Sequence, residues 1–196
     1  MHYNLTTKYY FISNFDTNNI NQQNKQTIII YRNYSSKKID KTKILKLRGY
    51  CKKKGLKFYL SNDIKLSIKL KLDGAYIPSF NKKFDHLSYY YKKNFEIIGS
   101  AHNLKEIKIK KKQGCKEIFL SPLFSVAKKN NYLNIYNFNK LTVDNDLNYI
   151  ALGGINQKNY KKISLTKSSG FASISWIKKN GLSKLRPFKY FSTLNN

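Results

Sequence analysis

The sequence predicts an α/β chain folded as one small TIM-type (β/α)8 barrel with shortened first and last helices. Three observations lead there. Eight short apolar runs recur along the chain, Lys-rich stretches with helical spacing separate several of them, and 196 residues suffice for one full-sized core but not for two. Eight strands alternating with helices imply a parallel sheet with right-handed crossovers, and eight is the number that closes on itself. An open doubly wound sheet has the same periodicity and stands as the alternative. The expectation is a single domain over residues 1–196, with its core at about 9–179.

The runs are Tyr9–Ser13, Thr27–Arg32, Lys57–Asn62, Gly74–Ser79, Glu96–Ala101, Glu117–Pro122, Tyr149–Gly154 and Phe171–Ser175. Each is rich in Ile, Tyr, Phe or Leu, as a strand buried on both faces must be. Between them, Lys41–Lys54 carries Ile44, Leu45, Leu47 and Tyr50 at helical spacing and stops at Gly55, a natural C-terminal cap. Asp63–Leu72 opens on an acidic residue and places Ile64, Leu66, Ile68 and Leu70 along its length. Leu104–Gln113 repeats the pattern with Leu104, Ile107 and Ile109 before Gly114, and Asn156–Lys167 reads as a helix after a Gly-Gly turn. Two crossovers look weak. Asp16–Gln26 is polar with only Ile20 as an apolar anchor, so a loop or single turn is expected. Trp176–Lys179 soon meets Gly181 and Pro187, which shortens the last helix and leaves Phe188–Asn196 as a tail.

Composition narrows the function classes. Hydrophobic residues make up 41% and aromatic residues 15%, enough to exclude a disordered chain. The charge is +28, from 38 Lys+Arg against 10 Asp+Glu, a field that attracts polyanions. Lys far outnumbers Arg, however, and it accompanies heavy use of Asn, Ile, Tyr and Phe, residues whose codons are rich in A and T. The lysines are also spread over the whole chain. A solvated basic surface set by codon usage is therefore preferred to a nucleic-acid partner. Cys51 and Cys115 have no metal-binding spacing and read as buried small apolar residues. No apolar run approaches the ~18 residues of a membrane span, and Met1 to Phe11 lacks the build of a signal peptide. A cytoplasmic location is expected. The oligomeric state stays open, with a homo-oligomer allowed.

Polar residues at the C-terminal ends of barrel strands are the usual seat of chemistry. In order they are Arg32, Asn62-Asp63, Ser79, Ser100-Ala101-His102, Pro122-Leu123-Phe124 with Lys128-Lys129, Gly153-Gly154-Ile155 and Ile174-Ser175. Several have a bland reading. Arg32 can pair with a carboxylate, Asn62-Asp63 can cap a helix, Gly153-Gly154 can make a tight turn, and Lys128-Lys129 can face solvent. His102 reads as a hydrogen-bonding partner at the rim and a weak site candidate, and His2 and His86 as surface residues.

As ordered words, Tyr31-Arg32, Ser61-Asn62-Asp63, Asp73-Gly74-Ala75-Tyr76-Ile77, Ile98-Gly99-Ser100-Ala101-His102, Leu120-Ser121-Pro122-Leu123-Phe124, Ala151-Leu152-Gly153-Gly154-Ile155 and Gly170-Phe171-Ala172-Ser173-Ile174-Ser175 form a set. That set resembles the thiamine phosphate synthase and TenI family over about Tyr9 to Ile177. The resemblance implies a transferase of thiamine biosynthesis. It would join hydroxymethylpyrimidine diphosphate to a thiazole phosphate, releasing diphosphate, with Mg2+ as cofactor and small phosphorylated molecules as partners. By that correspondence Arg32, Ser100 and Lys128 (or Lys129) would be catalytic, holding the diphosphate and easing its departure. Asn62 would read the pyrimidine's amino edge, and Asp63 would bind the metal. Gly153 and Gly154, with the backbone of Ile174 and Ser175, would receive the thiazole phosphate. Loops after strands seven and eight are also where barrels commonly bind phosphate.

The chain departs from the family pattern at several places. Tyr34 replaces a lysine, and Asn81 replaces an acidic second Mg2+ ligand. Ser125-Val126-Ala127 replaces a Thr-x-Thr loop, and Tyr76-Ile77-Pro78-Ser79 replaces His-x-Gly-Gln. Pro122 stands where the thiazole tautomerase branch has a histidine, which argues against that activity. A catalytically degenerate TenI-like barrel that binds or regulates thiamine-related phosphates is the alternative.

Overall fold

The computed structural model describes residues 6–34, 40–126, 131–143 and 145–172. Eight parallel strands close a barrel in sequence order: β1 (Thr6–Ile12), β2 (Ile28–Tyr31), β3 (Phe58–Ser61), β4 (Gly74–Ile77), β5 (Glu96–Ala101), β6 (Glu117–Leu120), β7 (Asn148–Leu152) and β8 (Gly170–Ala172). β1 pairs with both β2 and β8, so the open sheet is excluded. All eight expected runs become strands. Most are trimmed at their C-terminal ends, which puts Arg32, Asn62 and Gly153 just beyond the last ladder residue.

Alternation sorts side chains between two environments. Tyr9, Phe11, Ile28, Ile30, Tyr59, Tyr76, Ile98, Phe119, Ile150, Leu152 and Ala172 fill the barrel. Outward residues such as Ile29, Phe58, Ala75, Ile97 and Ile118 pack under the helices. The interior is unusually aromatic, and the ring of Phe119 meets those of Tyr9, Phe11 and Tyr76 edge-on at 4.7, 5.7 and 5.7 Å. At the N-terminal end the plug turns polar. The Tyr9 hydroxyl donates to Glu117 and the Tyr59 hydroxyl to Glu96, which also takes Lys57 Nζ at 2.9 Å. Burial first, and then these carboxylates, push both phenols far above their ordinary pKa.

The crossovers follow their caps. α1 (Thr17–Asn21) is the single turn expected, capped by Asp16 and anchored by buried Ile20. α2 (Lys41–Lys53) is capped by Asp40 and buries Ile44, Leu47 and Cys51. α3 (Ile64–Lys69) and α4 (Leu104–Lys112) start at Asp63 and Asn103, whose side chains accept from Leu66 and Glu106 backbone N–H groups. α5 (Asn134–Leu141), which the sequence pattern did not single out, buries only Phe138.

Two expectations need correction. Asn156–Lys167 is not an α-helix but a 3-10 segment over Tyr160–Leu165. Asn156 and Asn159 amides both donate to the Gly154 carbonyl, at 3.2 and 2.8 Å, and Asn159 Oδ1 takes the Asn156 N–H at 2.8 Å. Those local bonds hold the segment in turns instead of an i→i−4 ladder. His86 is not at the surface: it is buried on a 3-10 turn (Asp85–Ser88), with ring Nε2 2.8 Å from the Gln113 carbonyl. The loop after β4 folds onto the end of α4 and covers it. Cys51 and Cys115 are buried free thiols, and burial pushes both up to about 12. Among the described residues, no helix is long and apolar enough to cross a membrane. The expected last helix and tail lie outside the described residues.

Candidate active site at the C-terminal mouth

Because all eight strands run the same way, residues that follow them share one rim. Arg32 leaves β2 with its N–H on the Ile12 carbonyl at 2.7 Å, and Asn62 leaves β3 with its N–H on the Tyr76 carbonyl at 2.8 Å. Ser100 is the inward residue near the end of β5, and Gly153-Gly154 follow β7. Six of the nine residues singled out for function thus stand at the same end of the barrel: Arg32, Asn62, Asp63, Ser100, Gly153 and Gly154. Lys128, Ile174 and Ser175 lie outside the described residues.

Under the rim sits a polar and aromatic layer. Pairing places Ser61 opposite Tyr76, and Ser100 opposite Phe119. The Arg32 guanidinium carbon lies 5.2 Å from the Phe11 ring centre and 5.9 Å from that of Tyr34. Each such cation–ring contact is worth about 0.5–1 kcal/mol where partly exposed. Tyr34 hydrogen-bonds Ser61 Oγ at 2.7 Å. Burial raises its pKa, while that bond and the Arg32 charge pull the other way. Tyr76, pushed up to about 12 chiefly by burial, is hydrogen-bonded with Ser100, itself only 5% exposed. A concavity of about 240 Å3, lined by Tyr10, Phe11, Ile12, Asp16, Asn19 and Arg32 among others, opens beside this layer.

Asn62 adopts a left-handed φ of 65°, a conformation Asn tolerates better than most residues. Its Oδ1 accepts from Asn81 Nδ2 at 2.8 Å, so the loop after β4 reaches the end of β3. Asp63 is a helix cap, with Oδ1 taking the Leu66 N–H at 2.9 Å. Among the described residues no group of three His, Cys, Asp or Glu side chains converges as a metal cage. Mg2+ needs no such cage, since one or two carboxylates with substrate phosphates and waters are its usual shell. A carboxylate with one capping bond fits that demand, and Asp63 is the acid at this part of the rim. His102 takes the structural role expected of it: Nδ1 is 2.6 Å from the Ser121 carbonyl and Nε2 is 3.1 Å from Ser79 Oγ.

The opposite side of the mouth is built by close approach. Leu123 and Phe124 donate to the Leu152 and Gly153 carbonyls at 2.8 and 3.1 Å. Gly154 has φ +71°, and a Cβ there would stand 2.3 Å from the Phe124 carbonyl oxygen. Glycine is required here for both conformation and space, so the tight-turn reading of Gly153-Gly154 is correct as far as it goes. Both glycines are half-buried at the rim.

Ser61, Tyr34, Tyr76 and Phe11 belong to the mouth, yet sequence reasoning gave them no role. The signal for Ser61 and Tyr76 was alternation: each is two residues beyond an inward position, Tyr59 and Gly74. Tyr34 was visible only as a departure from the family.

The sequence profile of a family described as thiamine monophosphate synthase matches residues 17–177. A thiamine-phosphate synthase of Prochlorococcus marinus is 30% identical over 127 residues, 60% of this chain and 34% of its own length. That of Lactococcus lactis subsp. cremoris is 22% identical over 135 residues, covering 67% of this chain and 62% of the relative. The chain therefore matches only about a third of the first relative's length and less than two thirds of the second's. Thiamine phosphate pyrophosphorylase from Pyrococcus furiosus superposes with a TM-score of 0.68 at 17% identity, over 87% of both chains. At that identity the superposition speaks for the fold.

Proposed function

The chain belongs to the thiamine monophosphate synthase family, and from that premise we propose that it couples hydroxymethylpyrimidine diphosphate to thiazole phosphate. A C–N bond forms between the thiazole nitrogen and the pyrimidine methylene carbon. The C–O bond to diphosphate breaks, and its electron pair leaves on the diphosphate oxygen. Such a step needs little from the protein beyond holding two partners in line and neutralising the departing charge.

The observation that carries the reading is the gathering at one mouth of a cation, an amide, a carboxylate and a glycine turn from β2, β3 and β7. Arg32, within cation–π distance of Phe11 and Tyr34, presents its fork to the diphosphate. Asn62 reads the pyrimidine edge, and the Ser100 hydroxyl lies below the diphosphate. Gly153-Gly154 offer backbone N–H groups to the thiazole phosphate. Lys128, Ile174 and Ser175 keep the roles that the family resemblance gives them. Asp63 would hold Mg2+, which would supply neutralising charge to the departing diphosphate. Asn81 contributes no charge to that ion; its amide orients Asn62 instead.

Incubating the purified protein with both substrates and Mg2+ should yield thiamine phosphate and one equivalent of diphosphate. A folded protein that binds pyrimidine diphosphate or thiazole phosphate without making product would favour the degenerate barrel, the reading to which the neutral Asn81 lends weight.

A further inference from the structure

Behind the rim lies a buried ammonium that the reaction does not use. Lys110 on α4 is fully buried, as is Gln113 one turn on. Lys110 Nζ donates to the Asn81 carbonyl at 2.6 Å and to Gln113 Oε1 at 2.8 Å. Gln113 Nε2 donates to the Asn81 and Lys83 carbonyls at 3.2 and 2.7 Å. Gly99 makes the room: a Cβ there would meet Lys110 Cδ at 2.8 Å. Both acceptors of the ammonium are neutral amide oxygens, and burial lowers its pKa to about 8.

Among the described residues Lys110 makes no ion pair, and the Glu106 charge offsets its burial only in part, so an apolar side chain would serve this helix face better. What lysine adds is reach. Its stem crosses from α4 to the loop after β4 and fastens the carbonyl of Asn81, whose side chain holds the amide of Asn62. We propose that Lys110 is a positioning residue for the pyrimidine side of the site, acting through Asn81 on Asn62. The kinetic consequence rests on the coupling reaction proposed above; the relay itself does not.

In the full chain, Lys110→Met should raise KM for hydroxymethylpyrimidine diphosphate about tenfold while KM for thiazole phosphate stays within about twofold. Asn81→Ala should do the same, and the double variant should be no worse than Asn81→Ala alone. Equal changes in both KM values, or additive losses, would overturn the proposal. Should Lys110→Met not fold, Lys110→Gln, which keeps N–H donors on a shorter stem, carries the same expectations. The side-chain amide resonances of Asn62 and Asn81 give a reading without turnover. Both should move in the unliganded Lys110 variant, and an unmoved Asn62 amide in a folded variant would overturn the relay. Moved resonances in a protein whose wild type forms no thiamine phosphate would keep the relay and discard the reaction.

Discussion

Replacing Gly154 by alanine tests how the mouth is built without assuming what binds there. The residue has φ +71°, and an added Cβ would fall 2.3, 2.6 and 2.6 Å from Phe124 O, Phe124 C and Ser125 O, all backbone atoms. The left-handed conformation alone costs a non-glycine residue about 1–2 kcal/mol. Displacing packed atoms adds about 1–3 kcal/mol, for a total of roughly 2–5 kcal/mol. Gly55 supplies the control, because it has φ +69° with nothing within 4 Å of its Cβ position. Gly55→Ala should therefore show the conformational part alone, about 1–2 kcal/mol. For a chain of this size, each kcal/mol moves Tm by about 2–4 °C. Thermal unfolding followed by circular dichroism should place Gly154→Ala below Gly55→Ala by about 2–12 °C. Coincident melting points would refute the argument that contact between the two loops, and not conformation alone, demands glycine at 154.

Three further outcomes follow from the geometry. Arg32→Ala should lower kcat/KM at least tenfold, about 1.4 kcal/mol, and Arg32→Lys should recover little of it in a steady-state assay, because an ammonium lacks the planar fork that lies beside Phe11 and Tyr34. Asp63→Asn keeps a capping oxygen and drops the charge, so it should melt with the wild type while the Mg2+ concentration for half activity rises; Asp63→Ala should in addition lose about 1 kcal/mol of stability with the cap. At the N-terminal end, burial would raise the Glu96 carboxyl, yet the Tyr59 and Lys57 bonds bring it below its ordinary value. A depressed native pKa gives stability that is present above the unfolded value of about 4.3 and lost as pH falls through the native one. Glu96→Gln should flatten the acid limb of a pH–stability curve measured by denaturant titration, and an unchanged limb would remove Glu96 from the explanation.

Much of this molecule can be read in its sequence because a barrel strand is buried on both sides and so writes itself as an apolar run. All eight runs became strands, and Asp40, Asp63 and Asn103 began helices as capping chemistry requires. Arg32, Asn62, Asp63 and Gly154 could be found for the same reason: they stand where apolar runs end. What periodicity could not reveal was contact between chain-distant polar groups. Lys110 is one lysine among many, and only its spacing of three from Ile107, on the apolar stripe of α4, marked it as inward. His86 gave no sign of burial, since its partner is a backbone carbonyl 27 residues away. The 156–167 segment misled because a local competition, asparagine amides for the Gly154 carbonyl, outweighed its helical pattern.

The pairs at the N-terminal end, Tyr9 with Glu117 and Tyr59 with Glu96, make the barrel a cul-de-sac. Side chains rooted on β1 and β3 bond to carboxylates on β6 and β5 beneath a barrel core filled by Phe11, Tyr76, Phe119 and their neighbours, a packed interior and not a pore. Whatever arrives at the open mouth must depart by it. In the coupling reaction proposed above, two reactants, the product and the released diphosphate would share one doorway, framed by the residues at its rim.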